Sequence, residues 1–161
     1  FSAEQLAEAV ELSELEGLAR YELVQNSFSL LDHDDEETVF PVCREHELGY
    51  EAFGPLAGGW LTGKYRRGEP PPPGSRMTQR PEPYLHLDDE AVYDGLGRLS
   101  AAAVERGVEM PTLAFAWVLS DPRVQAVVAG PRRPEHLEPA IAAVDLHLSP
   151  AERDELASLF P

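Results

Sequence analysis

The residues best suited to chemistry lie in a glycine-rich stretch at 53–64, which ends on the only lysine of the chain. Gly58, Gly59 and Gly63 permit the backbone to approach a ligand closely and to present its N–H groups. Lys64 adds a point charge that suits an oxyanion. The stretch therefore indicates an anion-binding turn. An ordinary turn with a solvated lysine has the same pattern, so both interpretations stay open on these residues alone.

The positive charges of this acidic protein are concentrated in two places. The 161 residues include 13 Lys and Arg against 29 Asp and Glu, which gives a formal net charge of −16. Such a charge argues against binding to nucleic acid or to an anionic membrane, because both require a basic surface. Clustered cations favour an anionic small ligand, with a solvated rim as the alternative. Six cations form two clusters, one after the glycine-rich stretch and one after Gly130: Lys64, Arg66, Arg67 and Arg76, then Arg132 and Arg133.

Length and composition indicate one globular domain. Hydrophobic residues make up 43% of the chain, which is enough for a core. No run approaches the roughly 20 apolar residues of a membrane span, and no secretory signal opens the sequence, so we expect a soluble cytoplasmic protein. The first residue is Phe1 and not methionine, so we expect further sequence upstream. The single Cys43 lies in an apolar helical pattern that predicts a core thiol.

Hydrophobic periodicity predicts that strands alternate with helices in the first half of the chain. A capping box at 2–5 opens the first helix, and the run 21–26 is typical of a strand. A helix should then begin at Asp35 or Glu36 and continue to Leu48. A second strand at 50–53 leads directly into the glycine-rich stretch.

The second half begins with a proline- and glycine-rich excursion at 66–83, which we expect to be stiff and extended. Two helices should follow, one capped by Asp88 or Asp89 and one that begins near Pro111 and is apolar all round. The continuous apolar run 125–129 predicts a strand covered on both faces.

Two helices should close the chain. The first carries apolar residues at helical spacing, and a second capping box at 149–152 opens the last. The apolar residues of the first are Leu137, Ile141 and Val144.

This order of elements predicts an α/β fold with a parallel sheet and with ligands at the carboxyl ends of the strands. In (β/α)8 barrels the loops after the last two strands often hold phosphate, and both cationic clusters follow predicted strands. A parallel sheet of three strands leaves its edges unpaired. We therefore expect the isolated chain to oligomerise, to aggregate or to require a partner.

Four segments occur in an order and at a spacing that resemble the aldo-keto reductase family. Residues 53–65 are similar to the family's aromatic-Ser-Pro-Leu-x-x-Gly-x-Leu-Thr-Gly-Lys signature. The later segments are Gly-Ser-Arg at 74–76, Leu-Ala-Phe-Ala-Trp at 113–117 and Gly-x-x-x-Pro-Glu-His-Leu at 130–137. The resemblance covers essentially the whole chain. It implies that the chain is the C-terminal portion of a (β/α)8 TIM barrel, with strands six to eight, and contains its NADP-binding half.

The resemblance implies where the reactive end of NADPH would lie. Gln25 would meet the nicotinamide carboxamide, and the Phe53 ring would stack on the nicotinamide. The backbone of Gly54, Pro55, Leu56 and Ala57 would line the pyrophosphate. From the residues alone, Gln25 could equally be a strand-end residue that faces solvent, and Phe53 could be a core residue.

The resemblance places the phosphates and the adenosine end in the two cationic clusters. Lys64, Arg76 and the loop from Gly130 through Arg132 to Arg133 would face the phosphates and the ribose. His136 would lie close to the 2′-phosphate or the adenine. The residues themselves agree, because the helix predicted near Pro134 presents free N–H groups to an anion.

Four positions depart from the family pattern. Gly54 replaces a serine and removes a hydroxyl. Pro139 and Ala140 stand where the family often has a Glu-Asn pair on the adenine, which weakens the expected preference for NADPH over NADH. Arg132 replaces a small polar residue, and we expect it to compensate by contacting a phosphate.

The family's catalytic Asp, Tyr, Lys and His would lie upstream of Phe1, so we assign no catalytic residue and no metal ligand to this segment. Lys64, Tyr50, Tyr65 and His46 do not have the spacing of those residues. The sequence favours an NADPH-dependent reductase of aldehydes or ketones, of which this segment is the cofactor-binding half. The alternatives are a non-catalytic NADP(H)-binding subunit, a half-barrel that pairs with another chain, and a generic anion-binding fragment.

Overall fold

Three parallel strands form the centre of the computed structural model, which describes residues 1–161. The strands are β1 (Leu23–Ser27), β2 (Gly49–Phe53) and β3 (Ala126–Val128). They lie side by side in chain order, β1-β2-β3, and both pairs are parallel. Parallel neighbours require crossover connections, and helices supply them here. The predicted α/β class with a parallel sheet is confirmed.

Seven α-helices accompany the sheet. They are α1 (Ala3–Leu15), α2 (Val39–Glu45), α3 (Arg76–Gln79), α4 (Glu90–Glu105), α5 (Met110–Leu119), α6 (Glu138–Ala143) and α7 (Pro150–Ala157). Both predicted capping boxes are present, at the start of α1 and of α7. Asp89 caps α4 as expected, because its side chain accepts a hydrogen bond from Ala91 N–H. None of these helices has the length and apolar character needed to cross a membrane.

The helices cover one face of the sheet and leave the other open. Val24, Tyr50 and Ala52 point to the covered face and are buried. The alternate residues Leu23 and Val128 lie on the open face, where they are 45% and 37% exposed. The expectation that the last strand is covered on both faces is therefore wrong, because no element of these 161 residues packs on its second face.

Two other expectations need correction. The predicted helix from Asp35 to Leu48 is shorter, because a turn of 3-10 helix at Asp34–Glu36 precedes α2. The excursion at 66–83 is not simply extended, since it contains α3 and leads into a 3-10 helix at Glu82–Leu87. The prediction of a core thiol is confirmed: Cys43 is buried, and this burial raises its pKa to about 11.

An ion cluster around the buried Asp121 carboxylate fixes α7 against the rest of the fold. The Asp121 carboxylate contacts Arg123 at 2.6 Å and Arg153 of α7 at 2.9 Å. Burial alone would raise the pKa of Asp121, but the hydrogen bonds from Arg123 and the charge of Arg153 outweigh it and hold this pKa below its ordinary value. Arg153 also contacts Glu36 at 3.0 Å, so the cluster joins α7 to the loop after β1.

Two glycines inside α4 have opposite surroundings. A Cβ on Gly95 would lie 2.5 Å from the Phe160 ring and 2.7 Å from the Leu159 carbonyl, whereas a Cβ on Gly97 would meet nothing within 4 Å. Alanine is favoured over glycine in a helix by about 1 kcal/mol.

We expect Gly97→Ala to raise the free energy of unfolding by about 0.5–1 kcal/mol. We expect Gly95→Ala to lower it by about 1–3 kcal/mol, because the methyl group overpacks the contact with the C-terminal residues. Chemical denaturation of the complete protein measures both. Equal effects of the two substitutions would contradict the packing of α4 against Phe160.

Candidate functional site

The carboxyl ends of the three strands are level at one edge of the sheet. Ser27 pairs with Phe53, and Phe53 pairs with Val128. The chain segments that follow these residues therefore leave the sheet side by side. We call this edge, with the loops that follow β2 and β3, the carboxyl edge. Both cationic clusters follow strands that end there, as the sequence predicted.

Gln25 and Phe53 lie on the open face of the sheet. Phe53 is 44% exposed, so it is not part of the core that these 161 residues form. Gln25 is exposed as well, and its side-chain amide donates a hydrogen bond to the Glu51 carboxylate on the neighbouring strand. The aromatic ring at the end of β2 is therefore available for stacking, with a polar amide on the adjacent strand.

Left-handed backbone conformations shape the turn after β2. Gly54, Gly58, Gly59 and Gly63 all have positive φ, at 69°, 65°, 97° and 76°. Only glycine adopts these conformations without strain. The serine that the family signature has in place of Gly54 would be strained at this φ, which gives this departure a conformational reason. Ala57 also has a positive φ, at 46°, which costs about 1–2 kcal/mol for a residue with a Cβ.

Two side chains of the protein itself pack on the glycines. A Cβ on Gly58 would lie 2.6 Å from the Tyr84 ring, and a Cβ on Gly59 would lie 2.2 Å from Lys64 Nζ. Tyr84 therefore approaches the backbone at Gly58 closely. Lys64 folds back over the turn and approaches the backbone at Gly59. Tyr84 could not be predicted from the sequence, because it lies in an aperiodic region and reaches the turn only through the tertiary fold.

Five of the six cations in the two clusters have no carboxylate partner, and three of them are predicted ligand contacts, Lys64, Arg76 and Arg133. Lys64, Arg76 and Arg133 are exposed, and none of them takes part in an ion pair. Arg67, from the same cluster, differs because it contacts Glu90 at 3.0 Å and Asp94 at 2.6 Å on α4. The unpaired charges favour an anionic ligand, whereas Arg67 is already neutralised.

Arg132 brings the two cationic clusters together. Its guanidinium donates to the Gly74 carbonyl at 2.6 Å and to Gln79 Oε1 at 2.7 Å. Its backbone N–H donates to His136 Nδ1 at 3.3 Å, so the predicted histidine orders the loop after β3. The Ser75 hydroxyl, next to Gly74, is buried without a hydrogen-bond partner. The Arg132 side chain thus contacts the excursion. The sequence predicted instead that this side chain contacts a phosphate.

These donors suit a ligand with a planar ring and phosphate groups. The exposed Phe53 ring offers a stacking surface, and the unpaired Lys64 and Arg76 offer charge for phosphates. The orphaned Ser75 hydroxyl offers a further donor. Pro55, Leu56 and Ala57 lie in the turn between the ring and the cations, and Pro55 and Ala57 are buried. The residues present therefore fit a dinucleotide.

The fold and the site define an α/β protein whose cationic loops lie at the carboxyl edge of a parallel sheet. The sequence model of the Aldo/keto reductase family matches residues 1–160. The chain therefore belongs to this family, and the resemblance found in the sequence is confirmed.

Three curated relatives illustrate the range of the family. A probable voltage-gated potassium channel subunit beta from Arabidopsis thaliana is 32% identical over 91% of this chain and 45% of the relative. An uncharacterized oxidoreductase, YrpG, from Bacillus subtilis is 34% identical over 85% and 40%. The NADH-specific methylglyoxal reductase of Escherichia coli is 28% identical over 93% and 43%. The chain spans less than half the length of these relatives.

The packing of Tyr84 on the glycine turn can be tested by a pair of glycine substitutions. We expect Gly58→Ala to lower the free energy of unfolding by about 2–4 kcal/mol, because it adds both backbone strain and a clash with the ring. Gly68→Ala is the matched control, since Gly68 also has a positive φ of 72° but has nothing within 4 Å of an added Cβ. It should cost only the strain, about 1–2 kcal/mol.

Denaturation of the complete protein measures both variants. In a Tyr84→Ala background the two substitutions should cost the same. If Gly58→Ala still lowers the free energy of unfolding more than Gly68→Ala in that background, the added methyl group at position 58 does not clash with Tyr84.

Proposed function

We propose that this chain is the cofactor-binding half of an NADPH-dependent oxidoreductase that reduces aldehydes or ketones to alcohols. The observation that carries the proposal is the position of Phe53. Its exposed ring shares the carboxyl edge of the sheet with the unpaired cations Lys64 and Arg76. A nicotinamide dinucleotide has a planar ring at one end and phosphates at the other, so it suits this arrangement.

Each part of the dinucleotide has its own residues in this proposal. Phe53 stacks on the nicotinamide, and Gln25 turns from Glu51 to the carboxamide. The turn from Gly54 to Ala57 lines the pyrophosphate. The bound dinucleotide supplies the hydride, and the residues of this chain orient it. The remaining positions face the phosphates and the adenosine: Lys64, Arg76, Gly130, Arg133 and His136.

The three strands are, in this proposal, strands six to eight of a (β/α)8 barrel, and their open face is the barrel interior. Apolar side chains are exposed at both sides of the segment. Leu12 and Leu15 lie on α1, Ile141 lies on α6, and Val144 directly follows α6. Exposed apolar groups on two flanks and one sheet face need a cover. In this proposal an N-terminal half, or a partner chain, supplies that cover and the catalytic Asp, Tyr, Lys and His.

The preference for NADPH or NADH rests on few contacts. Pro139 and Ala140 offer no side-chain hydrogen bonds to the adenine. Selection of NADPH would then come from the charges of Arg133 and its neighbours acting on the 2′-phosphate. One relative is named as an NADH-specific reductase, so the same family includes the opposite preference.

A second candidate is a non-catalytic subunit that binds NADP(H). It is favoured by the relative that is named as a probable potassium channel subunit beta. The two candidates share the dinucleotide site and differ in chemistry. Sequencing upstream of Phe1 and assaying NADPH oxidation with a panel of aldehydes and ketones separates them. An intact set of the catalytic Asp, Tyr, Lys and His, with carbonyl-dependent oxidation, supports the enzyme. A substituted Tyr without turnover supports the subunit.

Fluorescence titration of the complete protein with NADPH tests the phosphate assignment. We expect Lys64→Ala and Arg76→Ala each to weaken binding about tenfold or more, because each removes a charged hydrogen bond to a phosphate. The losses should shrink at high salt. Arg67→Ala is the matched control: its charge is already paired on α4, so affinity should stay unchanged. Unchanged affinity in both test variants would refute the assignment.

A further inference from the structure

One guanidinium joins the loop after β3 to the proline-rich excursion. Arg132 donates to Gly74 and to Gln79, which precede it by 58 and 53 residues. No carboxylate contacts Arg132, so both bonds join a charged donor to a neutral acceptor. The planar fork of arginine can serve two acceptors in fixed directions, which a lysine ammonium does not reproduce.

The two acceptors lie on either side of α3. Gly74 comes just before the helix, and Gln79 is its last residue. A helix of four residues has little stability of its own, so its place depends on contacts from outside. One such contact is known besides Arg132: Met77 N–H donates to the Tyr65 hydroxyl at 3.3 Å.

These contacts make a continuous connection between the two loops of the carboxyl edge. The Tyr65 hydroxyl donates in turn to the Gly58 carbonyl at 3.3 Å, which ties α3 to the glycine turn. Arg132 ties the same helix to the loop after β3. Between the two ties lie Ser75, with its buried hydroxyl, and Arg76, with its unpaired charge.

We propose that Arg132 is a positioning residue of the dinucleotide site, which holds α3 so that Arg76 and the Ser75 hydroxyl face the same ligand as the loop after β3. This role rests on the proposed function. It differs from direct contact with a phosphate, because the guanidinium acts through Gly74 and Gln79. Loss of either acceptor should therefore have part of the effect of losing Arg132 itself.

Amide hydrogen exchange of the complete protein without dinucleotide tests the positioning. We expect Arg132→Ala to speed exchange of the amides at 74–80 about tenfold, because α3 loses its tie to the loop after β3. Gln79→Leu should have a smaller effect in the same direction. Arg133→Ala is the matched control, since this neighbour does not reach α3, and it should change nothing at 74–80. Unaltered exchange at 74–80 in Arg132→Ala, with exchange in α4 also as in the wild type, would overturn the positioning.

NADPH titration of the same variants separates the positioning role from direct contact. We expect Gln79→Leu to weaken binding by about threefold or more, and the double variant to bind no more weakly than Arg132→Ala. If Arg132 contacts a phosphate instead, Arg132→Ala weakens binding while Gln79→Leu leaves it unchanged, which overturns the proposal. If the wild-type protein binds no dinucleotide, the proposed function fails, and hydrogen exchange still decides whether Arg132 fixes α3.

Discussion

The structure depends on the register of a parallel sheet that is covered on one face only. Because Ser27, Phe53 and Val128 are paired across the three strands, the chain leaves each strand at the same level. The loops after β2 and β3, which are far apart in sequence, are thereby made neighbours. Their cations can act on one ligand only because of this register. The covered face fixes the sheet through Val24, Tyr50 and Ala52, and the open face displays Phe53.

The excursion at 66–83 gains its order from tertiary contacts. It has neither the periodicity of a long helix nor the pairing of a strand, and proline removes many of its backbone donors. Tyr65 and Arg132 hold its short helix α3, and Tyr84, just beyond it, packs on Gly58. The same glycines that give the turn its shape therefore also dock the segment that follows it. The shape of the glycine turn and the order of the excursion therefore have a common origin.

Local signals in the sequence were sufficient for much of the fold. The capping boxes at Ser2 and Ser149 depend on neighbouring residues alone and were predicted correctly, and the cap at Asp89 is one of the two candidates that the sequence offered. The family resemblance rested on spacing within short segments, and it was confirmed over residues 1–160. The exposure of β3 and of Ile141 could not be predicted, because burial depends on what covers an element. The acceptors of Arg132 and the packing of Tyr84 could not be predicted either, since both contacts join distant segments.

The central claim is that one dinucleotide spans the carboxyl edge from Phe53 to the unpaired cations. A crystal structure of the complete protein with bound NADP⁺ tests it most directly. We expect the nicotinamide ring stacked on Phe53, its carboxamide on Gln25, and phosphate oxygens within hydrogen-bond distance of Lys64 and Arg76. A dinucleotide bound elsewhere, or with its phosphates away from both cations, would contradict the account.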